Sequence, residues 1–498
     1  MPQVPPANRR VQAGSPASSH IRLIEVIDAL VFRFGAEPWG VRELAARLDE
    51  SRSTVNRILL TLVEQGLALE AGAGKYTVGP RLNVLTNALI DRSALLQIGR
   101  TRLAEIADAT GATVLLSIHS PCEGGYFVAA CGEPKASLTF RPELGIMHPL
   151  SFGHIGQAFS AWMGPDACGQ PGRADPADLT AHEFPEPLAV TVRTLRCGLL
   201  IAVSVHSADG APAQSLAHIS QSVSQFAEEL DSALDGIMRD GERSDPVISL
   251  EDAKTTASRL ERLMLIACAL PQGVKYTVGL HDQLLCNAAT AKRLMQSGLE
   301  SEIVVSVDAV LYPGPKLFQW AARLGFRDNI ADLTRSTVSR LVQETGETIA
   351  ILAFDKTLNR AQFLDVIQGW RPIQYQLSVH TEVPLYAGAA GKAVLAFCEP
   401  DVIEAIDLVK LTDATITDRD ALQSDLDTIA QRGWATGTGE RVLGAFGLAV
   451  PFFVDGQIRG SISATIPQNR KDERDLPRLT LLMQEATKKI GRLLSLGI

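Results

Sequence analysis

Gly153-His154-Ile155-Gly156-Gln157-Ala158 and Gly388-Ala389-Ala390-Gly391-Lys392-Ala393 spell the same pattern, Gly-x-x-Gly-x-Ala, 235 residues apart. Upstream of each copy an apolar-periodic stretch stops at a glycine and resumes as a strand-like run. The first reads Leu103 to Thr110, Gly111, then Val114; the second reads Val338 to Thr345, Gly346, then Ile349. A helix ended by a glycine and followed by β-branched residues is the physical content of both. Further upstream, Lys75-Tyr76 and Gly79-Pro80-Arg81-Leu82 are echoed by Tyr312 and Gly314-Pro315-Lys316-Leu317. Three landmarks in one order identify a tandem duplication, so differences between the copies report what each half does.

A chain of 498 residues exceeds one core, and duplication makes four folded domains the natural count. Its 46% hydrophobic and 21% charged residues are ordinary for a globular protein, and no apolar run reaches the roughly 18 to 20 residues that span a bilayer. Residues 1–19 are rich in Pro, Ala and Ser, carry Arg9-Arg10 and lack the apolar stretch of a secretory signal, so they read as a disordered tail on a cytoplasmic protein. The seven cysteines form no C-x-x-C pair, which argues against a disulfide framework and a structural zinc site. No metal, cofactor or membrane partner is expected. The net charge of −9 is uneven: residues 1–100 hold 12 Lys and Arg against 9 Asp and Glu, and the excess matters locally because salt screens charge beyond about 10 Å.

Within that basic segment, Leu23, Val26, Ile27, Leu30 and Phe34 recur at helical spacing before Gly35. Val41, Leu44, Ala45 and Leu48 mark a second helix after Pro38-Trp39-Gly40. A third opens at Ser51, a good N-cap, buries Val55, Ile58, Leu59 and Leu62, and ends near Gly66. Opposite its apolar stripe stand Ser53, Thr54, Asn56 and Arg57, with Arg52 at the edge. These side chains suit a DNA groove, since Arg bridges guanine O6 and N7, Asn pairs with adenine N6 and N7, and Ser or Thr holds a phosphate or base edge. Leu67 to Leu69, the Ala71-Gly72-Ala73-Gly74 turn and Lys75 to Val78 read as a hairpin. Three helices and a hairpin describe a winged helix-turn-helix, with Lys75 and Tyr76 on the wing.

The runs Val41 to Leu48, Ser53-Thr54-Val55-Asn56-Arg57-Ile58-Leu59 and Lys75 to Leu82, with the later Gly-x-x-Gly-Lys-Ala and Ala449-Val450-Pro451, resemble the IclR family of bacterial transcription regulators. The resemblance covers nearly the whole chain, twice. It implies an α+β architecture of a winged helix, a linker helix and a GAF-like effector-binding domain, acting on a double-stranded DNA operator as dimers or dimers of dimers. The implied layout is a winged helix at 20–82, a linker helix at 83–97, a truncated effector-like domain at 98–240, a degenerate winged helix at 250–320 and a complete effector-binding domain at 321–498. The two copies are expected to form an intrachain pseudo-dimer, and two chains a homodimer.

Asymmetry between the copies sharpens this. In the second, Thr277 to Leu284 and Asn287 to Met295 supply two helices, but Gly298 arrives early and predicts a third helix shortened by about a turn; Lys292 and Arg293 survive. Glu300 to Glu302 and Ile303 to Val305 make its wing look like a packing surface. In the first copy a central block of the effector domain is missing after Gly153. Alignment of Gly198 with Gly460 sets Ile201 and Val203 against Ser463 and Thr465, an apolar wall against hydroxyls able to hold a carboxylate. Copy one then reads as scaffold and copy two as sensor. Its small organic acid would sit on the Gly388-Ala389-Ala390-Gly391 turn, where helix-start N–H groups favour anions, with Glu440, Ser463 and Thr465 at matching family positions and Gly447 leaving room.

Two rivals remain. An enzyme finds no nucleophile elbow, metal-spaced histidines or phosphate loop, and Cys398, with His380 upstream, reads as core. A sensor that has lost specific DNA binding suits the second copy, whereas the first keeps Asn56, Arg57 and Lys75 together.

Overall fold

The computed structural model describes residues 18–72, 74–135, 140–164, 184–207, 216–240, 255–275, 280–325, 330–356, 358–371, 379 and 382–496. The expected tail, apart from its last two residues, and His380 lie outside them. The chain divides into two compact units between Arg327 and Asp328.

The first unit opens with α1 (Ser19–Phe32), whose cap Ser18 accepts from the Ile21 N–H. β1 (Trp39–Gly40), α2 (Val41–Leu48), α3 (Arg52–Glu64), β2 (Ala68–Glu70) and β3 (Lys75–Val78) follow, the strands ordered β1-β3-β2. Ser51 caps α3 through the Thr54 N–H at 3.1 Å, and the predicted stripe Val55, Ile58, Leu59 and Leu62 is buried. α4 (Pro80–Arg92) starts on a proline with no N–H to waste, and the backbone leaves the helix at Ser93 before α5 (Ala94–Thr110) runs to the left-handed Gly111. The expected linker helix at 83–97 is therefore two helices, with the break at Ser93.

An antiparallel sheet comes next: β4 (Thr113–Ser120), β5 (Gly125–Gly132), β6 (Met147–Pro149), β7 (Pro187–Thr194) and β8 (Leu200–His206), in the order β6-β5-β4-β8-β7. α6 (Gly153–Met163) carries the first glycine motif, and α7 (Leu216–Asp240) closes the domain. The second Gly of the motif has a reason in both copies. A Cβ on Gly156 would run into the Leu150 carbonyl, and one on Gly391 into the Pro384 carbonyl.

α8 (Thr256–Ala269), β9 (Val274–Lys275), α9 (Leu280–Gln283), α10 (Ala288–Glu300), β10 (Val304–Val307), β11 (Val310–Pro313) and α11 (Pro315–Leu324) repeat the winged-helix succession, with strand order β10-β11-β9. The expected shortening is absent. α10 has 13 residues, as α3 has, is capped by the Asn287 side chain on the Thr290 N–H at 2.9 Å, and carries Gly298 inside it, where Leu263 and Val304 approach too closely for a side chain. Gly298 is a tightly packed helix position rather than a stop. Glu302 adopts the left-handed φ of 57° where Gly66 has 71°, and its carboxylate turns toward the Ser120 hydroxyl and the Cys122 N–H. The second wing turns at Asp308-Ala309 and lays Val307 on Gly198, a packing surface as its sequence suggests. Across the pair, α1 meets α8, α4 meets α11, α4 packs on α8 and α11 on α1.

The second unit comprises α12 (Ile330–Thr345), β12 (Thr348–Asp355), β13 (Arg360–Ile367), α13 (Ala389–Leu395), α14 (Pro400–Glu404), α15 (Arg419–Arg432), β14 (Ala435–Thr438), β15 (Ala445–Val454), β16 (Gln457–Pro467) and α16 (Leu476–Leu494). Its sheet runs β13-β12-β16-β15-β14. Strand alternation gives it two buried faces. Ile462, Ala464 and Ile466 meet Val338, Leu341, Met483 and Ile490 of α12 and α16, while Ala350, Leu352, Phe363 and Ala449 meet Ala393 and Val394 of α13.

Candidate nucleic-acid interface and effector site

Because α3 buries every third or fourth residue, its outward face falls to Arg52, Ser53, Asn56 and Arg57, all exposed, with Thr54 half-buried beside them. Ser51 Oγ lies 2.9 Å from Ser53 Oγ and 2.8 Å from Thr54 Oγ1, which orders the helix start. Neither Arg52 nor Arg57 has an ion-pair partner among the described residues. Lys75 is exposed on the wing and pairs with Glu37, a solvent-screened surface ion pair easily exchanged for a phosphate. Tyr76 corrects the expectation. Strand alternation turns it inward opposite Trp39, at 4% exposure, so it holds the wing on the helices and is withdrawn from any duplex.

In the second unit the Gly388–Gly391 turn is already occupied by the protein's own carboxylate. Glu440 Oε2 accepts from the Gly388 N–H at 2.8 Å, and its Oε1 accepts from Lys392 Nζ at 2.7 Å. Lys392, 1% exposed, also donates to Asp425 at 2.7 Å. The Thr412 hydroxyl on the Gly439 carbonyl and the Thr415 hydroxyl on the Glu440 carbonyl, both at 2.7 Å, fix the loop that delivers Glu440. The anion favoured at this helix start is therefore Glu440 itself, a structural lock. Gly447 of β15 lies close under the turn, where a Cβ would stand 3.0 Å from that of Ala389.

Ser461, Ser463 and Thr465 do share the face of β16 turned to α13. Ser461 Oγ donates to the Ala390 carbonyl at 2.9 Å, while buried Ser463 and half-buried Thr465 have no hydrogen-bond partner among the described residues. On the same side of the sheet stands a residue that sequence reasoning missed. Arg441 lies 3.6 Å from where a Gly388 side chain would begin, with its guanidinium 5.2 Å from the Phe363 ring centroid. Burial pushes its pKa down from the ordinary value, and it has no ion-pair partner among the described residues. Nothing in the local sequence marks it, since its ring neighbour Phe363 lies far away in the chain, on β13.

The first sheet requires a further correction. Thr348 pairs with Thr465 and Ala350 with Ser463; in the first sheet Thr113 pairs with His206 and Leu115 with Ser204. The residues facing α6 in those places are thus Ser204 and His206, and Ile201 and Val203 point to the opposite face. The gap-free match of Gly198 with Gly460 ran three residues out of register. This face is filled by its own rings: His148 stacks on Phe152 at 5.0 Å, Phe184 meets both edge-on, and His206 Nε2 bonds Ser204 Oγ at 2.9 Å.

A winged-helix domain with an outward polar helix, followed in the chain by an α/β domain whose sheet carries unpaired polar groups, defines a DNA-binding protein joined to a ligand-sensing domain. Residues 22–70 match the IclR helix-turn-helix domain and residues 326–492 the bacterial transcriptional regulator IclR C-terminal domain. The chain is 30% identical over 184 residues to the HTH-type transcriptional regulator KdgR of Escherichia coli (strain K12), covering 35% of this chain and 68% of that protein. It is 26% identical over 210 residues to KipR of Bacillus subtilis (strain 168), covering 41% and 83%. The solved Thermotoga maritima IclR aligns at 24% identity and a TM-score of 0.32, covering 48% of this chain and 97% of that one. The chain belongs to the IclR family: it is a DNA-binding transcription regulator with a C-terminal effector-binding domain. No described helix is long and apolar enough to cross a membrane.

Proposed function

We propose that the effector is a small organic acid bound in the second unit, with Arg441 as its counter-ion and Ser463 and Thr465 as hydrogen-bonding hydroxyls. The observation that carries this is the half-buried, unpaired Arg441 guanidinium beside the Gly388 turn. A carboxylate is the group that relieves a desolvated guanidinium, through two parallel hydrogen bonds. Gly388, Ala389, Ala390 and Gly391 then form the wall, and Glu440 holds that wall in place.

On the DNA side, Arg52, Ser53, Thr54, Asn56 and Arg57 read the major groove while Lys75 holds the backbone. The matching strand orders of the two winged helices, and the shared pairing register of the two larger sheets, support a whole-unit duplication with two GAF-like domains. The exchange of α1 and α4 contacts with α8 and α11 supports an intrachain pseudo-dimer of heads. Two chains then associate as a homodimer, which light scattering at micromolar concentration would read as twice the chain mass. Effector binding changes operator affinity only by its differential affinity for the two states, and the coupling is reciprocal.

The test is a mobility shift on DNA selected from genomic fragments by the full chain, at fixed salt, with a panel of small acids. Arg57→Ala should weaken specific binding by about 1–3 kcal/mol. Arg441→Ala should bind DNA as wild type does and lose the acid response; an undiminished response would overturn the assignment.

A further inference from the structure

The second winged helix keeps a reading head's helices but neither the base-reading side chains nor the free wing of the first. α10 has the length of α3, the same kind of side-chain cap and an apolar stripe, Ala291, Leu294 and Met295, where α3 has Val55, Ile58 and Leu59. Setting the caps Asn287 and Ser51 together places Ala288 on Arg52, Ala289 on Ser53, Thr290 on Thr54, Lys292 on Asn56 and Arg293 on Arg57. Ala288, Ala289, Lys292 and Arg293 are all exposed, and neither cation has an ion-pair partner among the described residues. Arg293 donates only to the Ala289 carbonyl of its own helix, at 3.4 Å. A chain with nine more negative than positive charges has left two adjacent cations unpaired on this helix face.

The packing between the heads makes the arrangement useful. Part of their contact is two-fold-like, with α1 on α8 and α4 on α11 at the centre and α4 on α8 answered by α11 on α1, while α1 also meets α10. Ion pairs repeat the exchange approximately: Arg81 of α4 reaches Glu261 of α8 at 2.6 Å, and Lys316 of α11 reaches Asp28 of α1 at 3.3 Å. Arg81 and Lys316 occupy the same place in their copies, two residues after Gly79 and Gly314. Heads related by such an axis match a duplex, whose own two-fold presents successive half-sites about one helical turn apart.

We propose that α10 is a second DNA-contacting helix, so that one chain grips two half-sites of different sequence. This rests on the α3 reading above. Head one, with Asn56 and Arg57, discriminates adenine and guanine. Head two, with Lys292, Arg293 and two alanines, anchors phosphates, takes guanine through a cation and accepts thymine methyls against Ala288 and Ala289. Its wing stays docked on Gly198, so head two contacts DNA through the helix alone. The operator is then asymmetric.

The experiment is hydroxyl-radical footprinting and salt titration on a duplex selected from genomic fragments by the full chain. It compares wild type with Lys292→Ala/Arg293→Ala and with Asn56→Ala/Arg57→Ala, all surface changes whose folding circular dichroism checks. The expected result is, for each bound chain, two protected stretches of unlike sequence, about 10 bp apart centre to centre. The Lys292/Arg293 variant loses one stretch and flattens the log–log salt slope by about 2, while the Asn56/Arg57 variant loses sequence discrimination in the other. A Lys292/Arg293 variant with unchanged footprint and slope overturns the second head and leaves the first standing if Asn56/Arg57 still matters. Recovery of no specific duplex overturns both.

Discussion

Lys392 shows how far one residue departs from its appearance in the sequence. In the pattern Gly-x-x-Gly-Lys-Ala it looks like a cation offered to a ligand, yet it is buried and bonded to two carboxylates, Asp425 and Glu440. Removing the charge leaves the buried Glu440 and the part-exposed Asp425 without their shared cation. Lys392→Met should therefore destabilise the second unit by about 3–5 kcal/mol, read as a lowered urea midpoint with unchanged slope. The residue free to meet an acid is Arg441, which carries no motif. Only its neighbours distinguish it from an ordinary surface arginine.

At the scale of elements, the helices and caps of the first head were legible because each rests on local chemistry: a Ser51 cap, an apolar stripe of period 3.6, a glycine beyond the end. Elements failed where a glycine had two explanations. Gly298 carries the signature of a helix stop but sits inside α10 in tight packing; Gly391 of the effector turn also lets α13 approach the Pro384 carbonyl. Gly391→Ala should force α13 off the Pro384 carbonyl and destabilise the second unit by about 1–3 kcal/mol, typical of overpacked cores and read as a lowered melting temperature. An unchanged melting temperature would mean the approach is not as close as described. Strand register was the other failure. His206 and Ser204 face α6 because β8 pairs with β4 in the register that β16 shares with β12, and a three-residue offset exchanged one face for the other.

For the whole molecule, two units with separate cores predict two unfolding transitions, only one of them moved by Lys392→Met. The first unit should be acid-sensitive. His119, His148 and His206 are buried and pushed down to about 4, so they stay neutral in the folded state while the unfolded chain takes up protons near 6.5. A folded pKa depressed in this way gives stability that is complete above about pH 6.5 and lost as pH falls toward 4. Calorimetry between those limits should show the first unit's transition falling. His148→Phe, which keeps the stack on Phe152, should flatten part of that fall.

The sequence by itself determined the family, the three helices and wing of the first head, the outward set Arg52, Ser53, Asn56 and Arg57, and the repeated order of elements. Each depends on spacing within a few residues or on landmarks recurring in one order. Tertiary structure decided the rest: that Tyr76 is core, that Glu440 locks a turn, that Arg441 is unpaired, that α10 is full length, and that the two heads exchange contacts. Those facts arise from what lies opposite each side chain across a sheet or between helices. Such neighbours are distant in sequence, and burial by them changes what a charge, a glycine or a hydroxyl can do.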